Sequence, residues 1–254
     1  NKEENNAYNS YWLVDPIDGT KNYINGGGQF CICIALIEEN YPVFGIIYVP
    51  SKKQFYYAIK NEGCYLMEDD KSLQALKIKN TPLQNILLSS SIRKSVINVI
   101  SNHLPSHRII QLSSAIKFAM IASSNGVFSV RLGPTYEWDT AAGHSILKNA
   151  GGNVLTENGN ELNYNKAEFK NKNFVAFGKT NKILPSFLFS QEVLSNHKKY
   201  NKEINYAVHS LKNNKLVCFP TETGHLPPGT MASKLAGTEG PPALRYCNGA
   251  GTAT

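Results

Sequence analysis

The most constraining feature of the sequence is a change of pattern near residue 81. Before it, short apolar runs are separated by turn-like residues, which predicts a series of strands that includes an antiparallel hairpin. After it, strand-like and helix-like segments alternate as far as residue 177, and such alternation predicts a layered α/β fold. The predicted strands are residues 11–14, 30–37, 43–49, 55–59, 63–67, 86–88, 109–110, 127–130, 154–155 and 174–177, and the predicted helices are 94–104, 115–122 and 140–150.

The pattern is lost beyond about residue 178. Residues 181–223 are rich in Lys and Asn, whereas residues 224–254 combine Gly, Pro, Ala and Thr without periodicity, which predicts an unstructured segment. We therefore expect one folded domain over residues 1–180, then a linker and the start of another domain. The sequence opens on Asn1 rather than Met, so we expect it to begin inside a longer protein.

Composition excludes several classes of protein. The longest apolar run, residues 30–37, is far shorter than the ~20 residues of a membrane-spanning helix. The net charge of +7 is spread along the chain, so nucleic-acid binding is not expected. The 5 cysteines include no CxxC pair, so structural zinc is not expected either. Cys31 and Cys33 share one face of a predicted strand, where we interpret them as small apolar side chains in a reducing cytoplasm.

The first residues that suggest chemistry follow the first apolar run. A proline fixes a tight turn there, which can aim the carboxylates of Asp15 and Asp18 and the carbonyl of Ile17 at one point. Gly19 permits close approach of a ligand, and the amides of Gly19 and Thr20 can hold an oxyanion. Such oxygen ligands suit Mg²⁺, although an Asx-turn that caps a short helix is a simpler interpretation. The full string is Asp15-Pro16-Ile17-Asp18-Gly19-Thr20.

A second motif precedes the helix predicted at residues 140–150. Asp139 could simply cap that helix, an interaction worth ~1 kcal/mol. The small residues that follow would also let a helix N-terminus approach an anion, although they suit tight packing equally well. With Asp15 and Asp18, Asp139 supplies three carboxylates that can converge on metal, so metal-assisted phosphate chemistry is the leading hypothesis. His144 is expected to point away from such a site. The string runs Gly133-Pro134-Thr135-Tyr136-Glu137-Trp138-Asp139-Thr140-Ala141-Ala142-Gly143.

Together these motifs resemble the paired signatures of the inositol monophosphatase superfamily. The resemblance covers residues 8–179 and implies a Mg²⁺-dependent phosphomonoesterase with a layered α-β-α-β-α sandwich. Residues 11–14, Lys21 and residues 133–135 resemble the CysQ branch, which hydrolyses 3′(2′),5′-bisphosphate nucleotides. The function implied is removal of the 3′-phosphate from adenosine 3′,5′-bisphosphate, a small-molecule substrate, to give AMP and phosphate.

The resemblance also implies a role for each residue of the motifs. Thr20 would orient the attacking water beside Asp18, and the amides of Gly19 and Thr20 would hold the phosphate. Two or three Mg²⁺ ions would be held by Asp15, the Ile17 carbonyl, Asp18 and Asp139.

Contacts to the nucleotide are implied by a string ahead of the helix at residues 115–122. The branch usually has Gly-Ser-Ser-x-Lys there. Ser114 and Lys117 match that pattern, whereas Ser113 and Ala115 depart from it. Arg131 is a further candidate for a phosphate contact. For Lys117 and Arg131 the alternative is a solvated surface charge.

One part of the family pattern is missing. The family supplies a further metal-binding Glu upstream of its first motif, behind a helical region, whereas this sequence starts fourteen residues before Asp15. Glu3 and Glu4 are candidates for that role, with a surface loop as the alternative. We therefore expect a fragment with incomplete first layers. An inositol monophosphatase and an inactive nucleotide- or metal-binding fragment are the alternative functions.

The tail carries a second resemblance. Residues 205–211 and 216–223 resemble the opening of a YrdC-type threonylcarbamoyl-adenylate synthase, and the match stops after Thr223. A coincidental helix–strand pair is the alternative. The expected location of the whole chain is the cytoplasm, with peripheral attachment to the inner membrane as a variant, and no oligomeric state is predicted.

Overall fold

The structure is a computed structural model that describes residues 9–69, 71–79, 85–178, 186–190 and 193–194. All of them belong to a compact unit, Asn1–Leu194, and a second unit comprises Ser195–Thr254. The upstream glutamates, the predicted domain boundary at residue 180, the YrdC-like string and the predicted unstructured segment all lie outside the described residues.

An antiparallel meander forms the first half of the described fold. Its strands are β1 (Ser10–Asp18), β2 (Cys31–Glu38), β3 (Tyr41–Val49), β4 (Gln54–Ile59), β5 (Gly63–Glu68) and β6 (Gln74–Leu76). Each is hydrogen-bonded to the next in chain order. Glu39 and Asn40 turn β2 into β3 with φ values of 49° and 67°, the left-handed backbone of a two-residue hairpin. The predicted hairpin is thus confirmed.

β1 is longer than its prediction. The sequence placed the end of this strand at Asp15 and Pro16, which is wrong, because the strand continues to Asp18. The register shifts between Asp15, opposite Cys33, and Asp18, opposite Cys31, so β1 carries one extra residue there. Pro16 has no N–H to donate to the ladder, and the chain bulges at that point instead of leaving the sheet. The bulge keeps both aspartates beside β2.

A mixed sheet forms the second half. Its strands are β7 (Asn85–Ser89), β8 (Arg108–Leu112), β9 (Phe128–Arg131), β11 (Asn153–Thr156) and β13 (Phe174–Phe177), and a separate two-stranded ribbon consists of β10 (Thr135–Tyr136) and β12 (Lys170–Asn171). The order in the large sheet is β11-β13-β9-β7-β8. β7 runs parallel to β8 and β9, whereas β13 runs antiparallel to β9 and β11. β6, β10 and β12 were not predicted, because two or three residues are too few to display a period.

Helices separate and cover the two sheets. They are α1 (Thr20–Ile24), α2 (Lys94–His103), α3 (Ile116–Ala122) and α4 (Ala141–Asn149), with 3₁₀ turns at Pro50–Lys52, Glu137–Asp139 and Ser186–Phe189. α3 and α4 share one core with the inner face of the meander and one face of the mixed sheet. α2 packs on the other face of the mixed sheet. The predicted layered α/β fold is confirmed. Within the described residues, no helix is long and apolar enough to cross a membrane.

The start of α4 approaches both of its neighbours closely. A Cβ added to Gly45 on β3 would lie 2.7 Å from the Ala142 carbonyl oxygen, and one added to Gly143 would lie 2.4 Å from the Phe118 ring. Small residues in the first turn therefore let α4 sit against the meander and α3. This packing carries the turn that ends at Asp139 to the edge of β1.

Candidate active site

Three carboxylates from the two motifs meet at one place. Asp15 and Asp18 come from the bulge of β1, and Asp139 comes from the 3₁₀ turn that precedes α4. Each residue contributes one carboxylate oxygen, and these three oxygens all lie within 4.8 Å of one another. Residues more than a hundred positions apart in sequence thus share one cluster, which we call the carboxylate cluster.

Backbone groups hold the first two carboxylates in place. The Ile17 amide donates to Asp15 Oδ1 at 3.0 Å. The Ala115 amide, just ahead of α3, donates to Asp18 Oδ2 at 2.5 Å. The Thr20 hydroxyl donates to the Ile17 carbonyl oxygen at 2.8 Å, which ties the start of α1 back to the bulge. The simpler interpretation of residues 15–20, an Asx-turn before a short helix, therefore also agrees with the structure.

Gly19 occupies a position that no other residue suits. Its φ is +92°, in the left-handed region that side chains rarely adopt. A Cβ there would lie 2.7 Å from the Gln29 carbonyl oxygen and 3.2 Å from the Ser114 Cβ. Gly19 thus brings the start of α1 close to the loop ahead of α3, which contains Ser114.

Asp139 is held by its own turn. Its Oδ2 accepts a hydrogen bond from the Tyr136 amide at 2.8 Å. The Tyr136 and Trp138 rings stack with centroids 4.4 Å apart, which stiffens the same turn. Asp139 therefore points away from α4 and towards the bulge of β1.

Glu137, a residue that was not among the predicted site residues, anchors the 3₁₀ turn that contains Asp139. Its side chain is fully buried. It accepts hydrogen bonds from the Asn165 and Lys166 amides at 3.0 Å each, and its Oε1 lies 2.6 Å from Lys166 Nζ. Tyr11 of β1 also donates to it, at 3.5 Å. We call this arrangement the Glu137 clamp. An acid two residues before a candidate ligand was the only signal in the sequence.

Burial and mutual repulsion govern the electrostatics of the carboxylate cluster. The pKa of Asp15 is raised by burial and by the neighbouring Asp139 charge. Burial raises the pKa of Asp18 to about 6, against the lowering effect of the Ala115 hydrogen bond and Lys117. The pKa of Asp139 is likewise raised by burial. Three acids with raised pKa values in one cluster form a site that a cation would stabilise.

A cavity of about 170 Å³ opens beside the cluster. Asp18 and Asp139 line it together with two cationic side chains, Lys117 and Arg131. Burial lowers the pKa of Lys117 to about 8, and Lys117 Nζ donates to the Ser114 carbonyl at 2.6 Å. Arg131 donates through its terminal nitrogens to the Ser89 hydroxyl and the Pro134 carbonyl.

Arg131 also has an unused donor. Among the described residues, its buried Nε finds no hydrogen-bond partner. A buried charged donor without a partner is costly unless a ligand or water satisfies it. Together with Lys117 it makes the cavity a suitable place for an anion.

The loop ahead of α3 connects the cavity to α1. Ser114 has a left-handed φ of 63°, uncommon for a residue other than Gly, Asn or Asp. The amide of Ser113 donates to Gln29 Oε1 at 3.0 Å, and Asn22 of α1 donates to the Ser113 hydroxyl at 3.4 Å. Ser113, which departs from the branch pattern, therefore serves to hold this loop.

Two other features lie apart from the cluster. His144 is fully buried on α4, where its Nδ1 lies 3.1 Å from the Tyr164 hydroxyl and its Nε2 lies 3.3 Å from Glu161. It points away from the cluster, as expected. A larger hollow of about 640 Å³ near Lys60 and Lys148 contains Glu161, but that carboxylate is already paired with Lys148. The smaller cavity is therefore the better candidate site.

Comparison with known proteins identifies the family. The inositol monophosphatase family matches residues 1–204. The chain belongs to the inositol monophosphatase family. The resemblance of the two motifs is thereby confirmed over a span that contains both of them.

Relatives within the family share one name. The chain is 36% identical over 165 residues to the 3′(2′),5′-bisphosphate nucleotidase CysQ of Salmonella typhimurium, covering 65% of the chain and 66% of that protein. It is 36% identical over 177 residues to CysQ of Aggregatibacter actinomycetemcomitans, covering 68% of the chain and 65% of that protein. The chain thus spans slightly less than two thirds of the length of these curated relatives.

Solved structures of the family share the fold. The crystal structure of CysQ from Bacteroides thetaiotaomicron has a TM-score of 0.62 and 30% identity, over 71% of this chain and 74% of that one. An inositol monophosphatase from Zymomonas mobilis has a TM-score of 0.60 and 22% identity, over 71% of this chain and 70% of that one. The second of these likenesses concerns the fold alone.

The oxygen donors of the candidate site in this chain fit a hard divalent cation. The three carboxylates offer oxygen atoms within 4.8 Å of one another, and the Ile17 carbonyl, which accepts the Thr20 hydroxyl, lies between Asp15 and Asp18 in the chain. Carboxylate and carbonyl oxygens are the ligands that Mg²⁺ prefers, with water and phosphate completing its shell. The raised pKa values of the three acids give the electrostatic reason for a cation there.

Proposed function

We propose that the chain carries the active site of a Mg²⁺-dependent phosphatase, which removes the 3′-phosphate of adenosine 3′,5′-bisphosphate to give AMP and phosphate. The observation that carries the proposal is that two members of the carboxylate cluster, Asp18 and Asp139, line the same cavity as Lys117 and Arg131. A negative cluster for cations and a positive wall for an anion are what a bound phosphate with its counter-ions requires. The names of the CysQ relatives support the same substrate.

The cluster supplies the places for the cations. Asp15, Asp18, Asp139 and the Ile17 carbonyl would hold two or three Mg²⁺, according to the pattern of the family. Bound there, Mg²⁺ supplies positive charge that neutralises phosphate oxygens and makes water a better nucleophile near neutral pH. The protein itself contributes rigid ligands, because Asp15, Asp18 and Asp139 each accept a backbone amide.

Thr20 would orient the attacking water. Its hydroxyl proton is engaged by the Ile17 carbonyl, which leaves the oxygen lone pairs to accept a hydrogen bond from water. Asp18, two residues earlier, is the nearby carboxylate that would accept the water's proton. The water oxygen forms the new P–O bond, the bond from phosphorus to the 3′ oxygen breaks, and the 3′ oxygen takes up a proton from solvent to leave as the hydroxyl of AMP.

The phosphate would be held from two sides. The amides of Gly19 and Thr20, at the start of α1, would hold it from one side, as the family pattern implies. Lys117 and the free Nε of Arg131 face it from the other side. Since the cavity is smaller than the ~300–1,000 Å³ typical of whole-ligand pockets, the nucleoside would extend beyond it, past Ser114.

Phosphate release from three substrates tests this proposal. The full chain with Mg²⁺ should hydrolyse adenosine 3′,5′-bisphosphate at least ~100-fold more efficiently than 5′-AMP or inositol 1-phosphate, a difference of about 2.7 kcal/mol in kcat/KM. A preference for inositol 1-phosphate would instead identify an inositol monophosphatase. Calorimetric binding of Mg²⁺ and bisphosphate without turnover would identify an inactive binding fragment.

Two finer proposals concern the rest of the chain. We keep the cytoplasm as the proposed location, supported by the reduced cysteines Cys31, Cys33 and Cys64 of the described residues. We also keep the proposal that residues 205–223 begin a YrdC-like domain, which rests on the sequence resemblance alone. No activity is assigned to that segment.

A further inference from the structure

Two thiols lie directly behind the carboxylate cluster. Cys31 and Cys33 point to the buried face of β2, and their Sγ atoms are 3.7 Å apart. Cys31 Sγ also lies 3.7 Å from Asp18 Oδ2. The pairing of β1 with β2 sets this arrangement, because the bulge places Asp18 opposite Cys31 and Asp15 opposite Cys33.

The spacing of these three donors suits a tetrahedral soft cation. With Zn–S bonds of about 2.3 Å and Zn–O bonds of about 2.0 Å, tetrahedral angles separate two sulfurs by about 3.8 Å and a sulfur from an oxygen by about 3.5 Å. The observed separations of Cys31 Sγ from Cys33 Sγ and from Asp18 Oδ2, 3.7 Å each, are close to these two values. The carboxylate of Asp18 and both thiols form one group with ligand atoms within 4.8 Å of each other.

We infer that Cys31, Cys33 and Asp18 form a second metal site, selective for a soft divalent cation such as Zn²⁺ or Cd²⁺. On binding, each thiol releases its proton to solvent, so two thiolates and one carboxylate surround the ion. A water molecule would take the fourth position. We call this the thiolate site.

Access to the thiolate site runs through Asp18. The two thiols are fully buried, but Asp18 lines the cavity that opens beside the carboxylate cluster. A cation that enters this cavity meets the Asp18 carboxylate first and the Cys31 sulfur immediately behind it. The route is therefore the one that the substrate's own counter-ions would use.

The two metal sites share Asp18 and so compete for it. Thiolates favour Zn²⁺ and Cd²⁺ strongly over Mg²⁺, which prefers oxygen ligands. Soft cations at the thiolate site would withdraw Asp18 from the carboxylate cluster and block it. This inhibitory consequence rests on the proposed phosphatase function, whereas binding at the thiolate site does not.

Direct binding is measured by Cd²⁺ titration of the full chain, followed by the cadmium–thiolate charge-transfer absorption in the ultraviolet. The background variant replaces Cys64, Cys218 and Cys247 with Ala, so that Cys31 and Cys33 are its only thiols. We expect one equivalent of Cd²⁺ to bind to that background with the full absorption band. In the same background, Cys33→Ala should weaken Cd²⁺ binding by ~100-fold, about 2.7 kcal/mol, and remove most of the band.

The design remains decisive if a substitution impairs folding. Circular dichroism checks each variant, and should Cys33→Ala not fold, the stoichiometry and band of the two-thiol background decide alone. Absence of the band from that folded background, or its persistence in folded Cys33→Ala, would overturn the inference. If the background itself does not fold, the single variants Cys33→Ala and Cys64→Ala in the otherwise unchanged chain decide, because only the former should lose affinity.

Inhibition gives a second readout. Zn²⁺ should inhibit phosphate release, with a potency that falls ~10-fold or more, about 1.4 kcal/mol, in Cys33→Ala relative to Cys64→Ala. Each variant is compared with its own rate in Mg²⁺ alone. Equal potency in both variants would contradict the inhibitory consequence. If the chain hydrolyses no bisphosphate but the Cd²⁺ band appears as expected, the proposed function fails and the thiolate site stands.

Discussion

Glu137 and Asp139 stand two residues apart in one 3₁₀ turn, yet their carboxylates have opposite surroundings. Glu137 is fully buried and is met by two backbone amides, the Lys166 ammonium and the Tyr11 hydroxyl. Asp139 receives one amide and faces two further carboxylates, and its pKa is raised. The Glu137 clamp is filled with donors that touch its carboxylate, whereas Lys117 and Arg131 near the carboxylate cluster do not offset the burial that raises the pKa values of Asp18 and Asp139.

This difference separates an acid that holds the fold from the acids that we propose bind metal. A buried carboxylate with a full set of donors stabilises the elements that supply them, in this case β1 and the loop at Asn165 and Lys166. Carboxylates that repel one another in a cavity lower stability until a cation joins them, which is the usual cost of a prepared site. The clamp thus holds Asp139 in the position that the cluster needs.

The largest expected effect is a loss of activity when Asp139 is replaced. Asp139→Asn should lower kcat/KM for the bisphosphate by ~1,000-fold, about 4 kcal/mol, because one ligand of the cluster is lost while the turn keeps its shape. The matched control is Asp69→Asn, the same change at an exposed residue that pairs with Lys53. A loss of less than ~10-fold for Asp139→Asn would mean that this carboxylate is not part of the reacting site.

The next largest expected effect is a loss of stability when Glu137 is replaced. Glu137→Ala should lower the free energy of unfolding by about 3 kcal/mol, because it removes a fully buried carboxylate that accepts the Asn165 and Lys166 amides and pairs with the Lys166 ammonium. Urea denaturation measures this, with Glu168→Ala as the control at a mostly exposed glutamate paired with Lys170. A change below about 1 kcal/mol would show that the clamp does not hold the turn.

A smaller effect concerns the positive wall opposite the cluster. Lys117→Met should raise KM for the bisphosphate by ~10-fold or more, about 1.4 kcal/mol, because a buried ammonium beside the phosphate is lost. Lys148→Met, at a residue away from the cavity, is the control. Steady-state kinetics that give equal KM values for both variants would remove Lys117 from the substrate site.

The pH profile sharpens this prediction. Because burial lowers the pKa of Lys117 to about 8, the ammonium is charged below that pH and neutral above it. KM should therefore rise as pH increases through 8, and Lys117→Arg should flatten the rise, because Arg keeps its charge. An identical rise in the arginine variant would assign the pH dependence to another group.

The smallest expected effect is a gain in stability, opposite to the loss expected when the Glu137 clamp is removed. Asp18 has a folded-state pKa of about 6, above the ~3.9 of an unfolded Asp, so its ionisation destabilises the fold as pH rises through 6. In EDTA at pH 7.5, Asp18→Asn should stabilise the chain by about 1 kcal/mol and raise Tm by about 2–4 °C. Its amide oxygen can still accept the Ala115 amide. A lower Tm for this variant would contradict the repulsion argued for the cluster.

The sequence alone predicted the parts of this comparison that depend on pattern. Apolar period and turn residues located the meander and α2, α3 and α4 to within a residue or two at most ends. Asp15, Asp18 and Asp139 were recognised because aspartates are scarce in this chain and these three stand in motifs at strand and helix ends. That the three would converge required the fold, which the family resemblance supplied.

Other features depend on tertiary contacts that leave no local trace. Glu137 belongs to the predicted motif, but its partners come from a loop almost thirty residues later. The contact of Cys31 with Asp18 depends on the one-residue bulge in β1, which the proline suggested only as a turn. Ala115 departs from the branch pattern in sequence, yet its backbone amide donates the hydrogen bond that holds Asp18. Backbone donors are independent of side-chain identity, so no residue pattern could have named this one.

Calorimetric titration of Mg²⁺ into the full chain tests the central claim most directly. We expect saturable binding to the unchanged chain and to Asp69→Asn, and a loss of ~10-fold or more in affinity, about 1.4 kcal/mol, in Asp15→Asn and in Asp139→Asn. Equal Mg²⁺ affinity in all four proteins would contradict the account, because the three carboxylates would then not share a cation.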